Sequence, residues 1–360
     1  MAEPLKLMYS NEYINKLGNE IYTQHSSFNK KAFVKDVLNH SWPQLELKQR
    51  MYHIVHCVHK HLPLGYAQQI EVLIKVAPHF SGFTAMLFPE FVAQYGLHDL
   101  PTSIKALEWF TQFSSSEFAV RPFMIKYEKQ LLKQHAKWAT HKNEHVRRLA
   151  SEGIRPRLPW AMALPEFKQY PEKILPVLEL LMEDPSEYVR RSVANCLNDI
   201  SKDHPELLLQ MVVRWKNKNK HTDALLKHAC RTLLKAGNPK ALQLFDVHQH
   251  HKYQVNSVNI HPKQLAIGDT LSFEAEVQSL ENEPFNIRLE YKIYFVKANG
   301  KTSNKIFQIG TYTLKPNQKM AINRKHKLAD LTTRKHYPGE HGFCLVINGK
   351  EEKVIPFLLR

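Results

Sequence analysis

A chain of 360 residues with 43% hydrophobic side chains is long enough for two domains, each with a core of its own. Mean hydropathy is −0.42, no window approaches the roughly 18 consecutive apolar residues of a membrane span, and the opening MAEPLKLMYSNEY lacks the basic-then-apolar order of an export signal. Formal net charge is +16, with 33 Lys and Arg against 24 Asp and Glu before Lys252 and 17 against 10 from there on. Both halves are therefore basic, and two readings stand: a field that attracts polyanions and speeds encounter with nucleic acid, or a basic surface that serves solubility alone. Four dispersed cysteines (Cys57, Cys196, Cys230, Cys344) form no CxxC pair and suit a reducing compartment. The expectation is a cytoplasmic protein without a membrane segment.

Up to about residue 246 the apolar spacing is helical. EFAVRPF from Glu117 is the first trace of a repeat, followed by NEHVRRLAS (Asn143–Ser151) and SEYVRRSVA (Ser186–Ala194). Val146 and Val189 stand 43 residues apart, the period of HEAT-type helical pairs, and ALLKHACRTLL from Ala224 is a weaker copy. Val189, Val193, Leu197 and Ile200 form one apolar face that buries itself only against neighbouring repeats. Between the two best copies, Glu172–Asp184 is read as an amphipathic helix opened by Pro171 and closed at Asp184-Pro185. Pro205 and Pro239 stand where further helices begin, and Gly237 where one ends. At HQHHK (His248–Lys252), read as linker, the pattern changes to strand-like alternation: LSFEAEV from Leu271, IRLEYKIYFV from Ile287, FQIGTYTL from Phe307, FCLVI from Phe343 and KVIPFLL from Lys353. Turn signals at Gly268-Asp269, Asn299-Gly300 and Asn348-Gly349 separate them, so about seven strands are expected. The fold class is an α-solenoid of helical repeats over residues 1–247 followed by an immunoglobulin-like β-sandwich over 252–360.

HVRRLASEGIRPRLPW (His145–Trp160) is the segment with the most chemistry. On a helix, Arg148, Glu152 and Arg155 share a side distinct from the apolar set Val146, Leu149 and Ala150. Pro156 and Pro159 end that helix and leave Trp160 on a stiff turn. The next copy carries Arg191, Asn195 and Asp199 at i, i+4 and i+8, a second polar stripe. Two readings stand: a polar groove, or i,i+4 ion pairs on a solvated face, each pair stabilising by a few tenths of a kcal/mol. Ten basic residues between Arg121 and Arg157 face only Glu128, Glu144 and Glu152, a lining able to track phosphates. Gly300-Lys301-Thr302 lacks the first glycine of a phosphate loop and reads as a hairpin turn. The histidines around Cys57 match no zinc signature, and no metal is expected.

TQFSSSEFAVRPFM (Thr111–Met124), HVRRLASEGIRPRLPWA (His145–Ala161) and YVRRSVANCLNDISKDHP (Tyr188–Pro205), with LELKQRMYHI (Leu45–Ile54), closely resemble the AlkC branch of the HEAT-like-repeat alkylpurine DNA glycosylases. The resemblance spans roughly residues 5 to 245, and the family includes members with an immunoglobulin-like C-terminal domain. It implies a bacterial, nucleoid-associated, cofactor-free hydrolase that removes cationic 3-methyladenine and 3-methylcytosine from duplex DNA without extruding the base, the first step of base excision repair. It implies catalytic roles for Glu117, Glu152 and Trp160, and DNA or lesion contacts for Arg148, with Asp199, Arg155, Arg191 and Arg121 grouped beside it. A monomer is the default expectation. The competing readings are a non-catalytic helical-repeat protein that binds DNA structure and a protein–protein scaffold. The carboxylate and Trp positions argue against the first, and the Arg/Lys excess against the second.

Overall fold

The computed structural model describes residues 4–331 and 334–360. The chain to Leu244 is helical, and strands begin at Tyr253. Helix starts follow side-chain chemistry: Ser10, Asn29, Asp99, Asn143 and Asn238 each accept a hydrogen bond from a backbone N–H of the first turn. The two best repeat copies form the helices Glu144–Glu152 and Glu187–Ile200, which lie against each other, and Lys220–Ala229 lies against the second. Val189, Val193, Leu197 and Ile200 are buried, as are Val146, Leu149 and Ala150 opposite. Pro205 and Pro239 open the helices Pro205–Trp215 and Pro239–Leu244, and Gly237, at φ +68°, follows the end of Arg231–Lys235.

One expected helix does not form as a unit. Residues 172–184 contain a single turn at Pro171–Lys173 and a five-residue helix Leu175–Glu179, then irregular turns. Pro176 is the reason: it has no N–H to give to the preceding turn, so it starts a short helix instead of lying inside a long one.

The chain forms two compact units. One runs to His204 and takes in Lys216–Ala229; the other joins Pro205–Trp215 to Cys230–Arg360. The compositional change near His248 thus marks the switch from helix to strand, while the second unit also includes helices that precede it.

The strands are β1 (Tyr253–His261), β2 (Gln264–Leu265), β3 (Thr270–Ser279), β4 (Phe285–Val296), β5 (Thr302–Leu314), β6 (Lys319–Lys327), β7 (Gly339–Ile347), β8 (Lys350–Glu351) and β9 (Ile355–Leu359). One sheet has the order β1-β3-β6, the other β2-β9-β7-β4-β5 with β8 on β7. These strand pairs are antiparallel except β2 with β9. Phe273, Val277, Leu289, Ile293, Phe343 and Leu345 belong to the apolar core of the sandwich, with Phe273 and Phe343 4.6 Å apart between ring centroids. Asn299-Gly300 turns the chain between β4 and β5, with Gly300 at φ +73°. Cys344 is buried and forms no disulfide.

Candidate active site

The helix Glu144–Glu152 brings Arg148 and Glu152 together, and the turn after it adds Arg155. Arg155 Nη1 donates to Glu152 Oε1 at 2.6 Å and its Nε to Asp199 Oδ2 at 2.9 Å, so it joins two neighbouring repeats. Arg148 Nη1 lies 2.5 Å from Glu117 Oε2 and its Nη2 3.6 Å from Glu152 Oε1. Lys202 closes the row, with Nζ 3.2 Å from Asp199 Oδ1. Glu117, Arg148, Glu152, Arg155, Asp199 and Lys202 thus alternate in sign along one connected network.

This network is not a solvated face. Glu152 is 4% exposed, Arg155 7% and Asp199 2%. Neutral donors fix the carboxylates further: Ser192 Oγ donates to Glu152 Oε2 at 2.6 Å, and Ser115 Oγ to Glu117 Oε2 at 2.7 Å. Burial works against the Arg148 charge, but Glu117 and Glu152 more than offset it, so its pKa is raised. The same balance raises Arg155, between Glu152 and Asp199. Arg148 also lies over the Tyr188 ring, 5.0 Å from its centroid. Burial pushes the Tyr188 phenol up, so it stays a neutral ring near pH 7.

The carboxylates differ in access. Both Glu152 oxygens are engaged, whereas Glu117 is only partly buried and its contacts use Oε2. Trp160 lies on the turn beyond Arg155, 68% exposed and at φ +64°. Its turn and Phe118, the residue after Glu117, line one cleft together with Lys48, Tyr52 and Glu90.

Two of the residues expected at the DNA lie outside this network. Arg121 is fully buried, with Nε donating to the Met162 carbonyl at 2.6 Å and Nη1 to that of Gly153 at 3.3 Å, so it has no route to a phosphate. Its helix, Val120–Lys126, points it inward, and burial pulls its pKa down to about 10. Arg191 stands apart from the network, ion-paired to Glu187 at 2.7 Å in an exposed groove it shares with Arg190 and His221. Arg147 and Arg157, part of the expected basic lining, are held by Asp184 and Asp203. Lys126, Lys129, Lys133, Lys137 and Lys142 lie at the surface. Around Cys57, His61 pairs with Asp36 at 2.8 Å and His59 bonds Gln69 at 2.8 Å. Among the described residues no three His, Cys, Asp or Glu side chains are grouped to hold a metal.

The family of DNA alkylation repair enzymes matches residues 102–233, which contain the whole network, and the C-terminal Ig-like domain of YhaZ matches 254–360. Pseudomonas fluorescens alkylpurine DNA glycosylase AlkC, solved bound to DNA containing an abasic site analog, is 36% identical with a TM-score of 0.96, covering 99% of this chain and 100% of that one. The chain belongs to the AlkC family. The uncharacterised Bacillus subtilis (strain 168) protein YhaZ is also similar, 44% identical over 353 residues and 98% of each chain. In this AlkC-family chain Ser115, Ser192, Tyr188 and Lys202 complete the network, although sequence reasoning marks none of them as a site residue. A serine at a helical position carries no signal of its own; only the 40-residue separation of Ser192 from Glu152, close to the repeat period, hints at the pairing.

Proposed function

We propose that this protein is a monofunctional DNA glycosylase that hydrolyses the N-glycosidic bond of cationic N3-methylated bases, 3-methyladenine and 3-methylcytosine, in duplex DNA without flipping the base. The observation that carries the reading is the fixed set Glu117–Arg148–Glu152 beside an outward-facing Trp160. Methylation at N3 makes the base a cation and a ready leaving group. As the C1′–N bond breaks, its electron pair neutralises the base and leaves positive charge on the sugar. A carboxylate held in place stabilises that charge without reorganising. Water then adds to C1′ and passes its proton to a carboxylate or to solvent, which yields an abasic site and a neutral base.

In this scheme Glu117, the more open carboxylate, faces sugar and water. Glu152 holds Arg148 and Arg155, and through Arg148 fixes Glu117. Trp160 meets the cationic base through its ring face, an interaction of about 0.5–2 kcal/mol. Arg148 and the surface lysines would meet backbone phosphates. The +16 net charge supports a polyanionic partner, and AlkC, the similar structure, was solved on DNA. Neither a metal nor an organic cofactor has a step in this scheme.

Base release from methylated duplex DNA tests the proposal, with Glu117→Gln and Glu152→Gln measured under single turnover. Wild type should release 3-methyladenine or 3-methylcytosine, and each variant should be slower by at least about tenfold with DNA affinity largely retained. Salt-sensitive binding with no release from any lesion would favour a non-catalytic DNA-binding role.

A further inference from the structure

Trp160 adopts a left-handed backbone at φ +64° while its side chain is 68% exposed. For a bulky residue this conformation is an outlier, kept only where the surroundings over-determine it. The restraints around it can be named. Pro156 and Pro159 stiffen the approach, and the Leu164 N–H donates to the Pro156 carbonyl at 3.2 Å, closing the loop. Arg121 donates to carbonyls at both ends of the turn, Gly153 and Met162, and has no carboxylate within salt-bridge distance among the described residues. Its third nitrogen, Nη2, is buried without a partner among them. A buried cation spent on backbone carbonyls is costly unless their geometry matters. Lys48, on the helix Leu47–His61, donates through Nζ to the carbonyl of Trp160 itself and lies over the Phe118 ring, 4.9 Å from its centroid.

We propose that Lys48 and Arg121 are positioning residues for Trp160. They fix the carbonyls of residues 153, 160 and 162, so that the strained backbone presents the indole before any lesion arrives. Neither touches the substrate; both act through the turn. The inference rests on the reading in which Trp160 meets the cationic base, and it replaces the DNA-contact role expected for Arg121. It also explains why the indole need not be buried to be fixed.

The test uses the full chain labelled with 5-fluorotryptophan at its five tryptophans, each expected to give its own 19F resonance. Trp160→Phe identifies the Trp160 line by its loss. Lys48→Met should broaden or shift that line, leave those of Trp42, Trp109, Trp138 and Trp215 in place, and Lys48→Arg should restore it. Lys48→Met should also slow single-turnover excision by about 3- to 30-fold, within the range a displacement of about 1 Å can cause. Added to Trp160→Ala it should slow excision no further, the non-additivity expected of a residue acting through another. An unmoved Trp160 line overturns the proposal, as does an additive double variant. Excision indifferent to Trp160→Ala would instead refute the lesion-stacking reading, and the 19F result would still decide the role of Lys48. Arg121→Met should act in the same direction, but loss of a buried cation can unfold the chain, so Lys48 is the deciding position.

Discussion

Arg155 shows how much of the site is stability as well as chemistry. Among the described residues it alone pairs with both Glu152 and Asp199, and all three side chains are buried. Removing one partner of a buried pair leaves the other charge uncompensated. Arg155→Met should therefore destabilise the protein by about 3–5 kcal/mol, read as a lower urea midpoint at unchanged slope. His135 makes a second prediction at this scale. It is buried against the helix Glu144–Glu152, with Nδ1 2.9 Å from the Ala150 carbonyl and Nε2 unpartnered among the described residues, and burial pulls its pKa down to about 4. The unfolded chain, with the ordinary value of about 6.5, binds the proton more readily. Stability from this residue is therefore complete above pH 6.5 and is lost as pH falls from about 6.5 to about 4, about 3 kcal/mol in all. Urea titrations at pH 7.5 and 5 should show the loss, and His135→Gln should reduce it.

Among elements, the hairpin between β7 and β8 has a steric requirement. Gly349 sits at φ +78°, and a Cβ there would meet the Cα of Gly237 at 2.4 Å. Gly237 is itself left-handed, and its own Cβ would meet the Gly349 carbonyl at 2.8 Å. The helix end and the hairpin touch backbone to backbone, with Gln249 bridging the Gly237 and Asn348 carbonyls. Gly349→Ala should destabilise the protein by more than about 1 kcal/mol, seen as a lower Tm, whereas Gly300→Ala has space at its turn and should bear only the backbone term. The repeat helices behave differently, because their stability lies in apolar faces already marked by spacing. At Pro176 the reverse holds: an apolar pattern of helical period is overruled by one missing N–H.

For the molecule as a whole the governing quantity is charge. The sandwich half carries 17 basic against 10 acidic residues, and on β6 Arg324, Lys325 and Lys327 are exposed. If the sandwich adds grip on a duplex, Arg324→Gln, Lys325→Gln and Lys327→Gln together should lower the slope of log affinity against log salt, by about 0.9 for each phosphate no longer neutralised. An unchanged slope in full-length protein would sink that role. Point changes suit this test better than deletion of residues 252–360, since the helices Pro205–Trp215 and Arg231–Lys235 belong to the same compact unit as the strands.

The sequence by itself determined the order of architecture, helical repeats and then an antiparallel sandwich, because a period of 3.6 or 2 is written in local apolar spacing. Through alternation and the Gly-containing turns at 268, 300 and 349 it marked β3, β4, β5, β7 and β9 and implied about seven strands, but it singled out neither β1 nor β6, nor β2 and β8, whose two residues each are too few for a pattern. It also named Glu117, Arg148, Glu152 and Trp160 as one set, through the motif resemblance. Only the tertiary structure decided which charges meet. Arg155 reaches Asp199 across 44 residues and Ser192 reaches Glu152 across 40, while Arg191, next to Ser192 on the same helix, points away to Glu187. Spacing fixes the face of a helix on which a residue lies; which neighbour covers that face is a long-range packing outcome. For the same reason Arg121 was legible as a basic residue but not as a buried one: the carbonyls that accept its hydrogen bonds lie 32 and 41 residues away, in a turn whose course no local pattern prescribes.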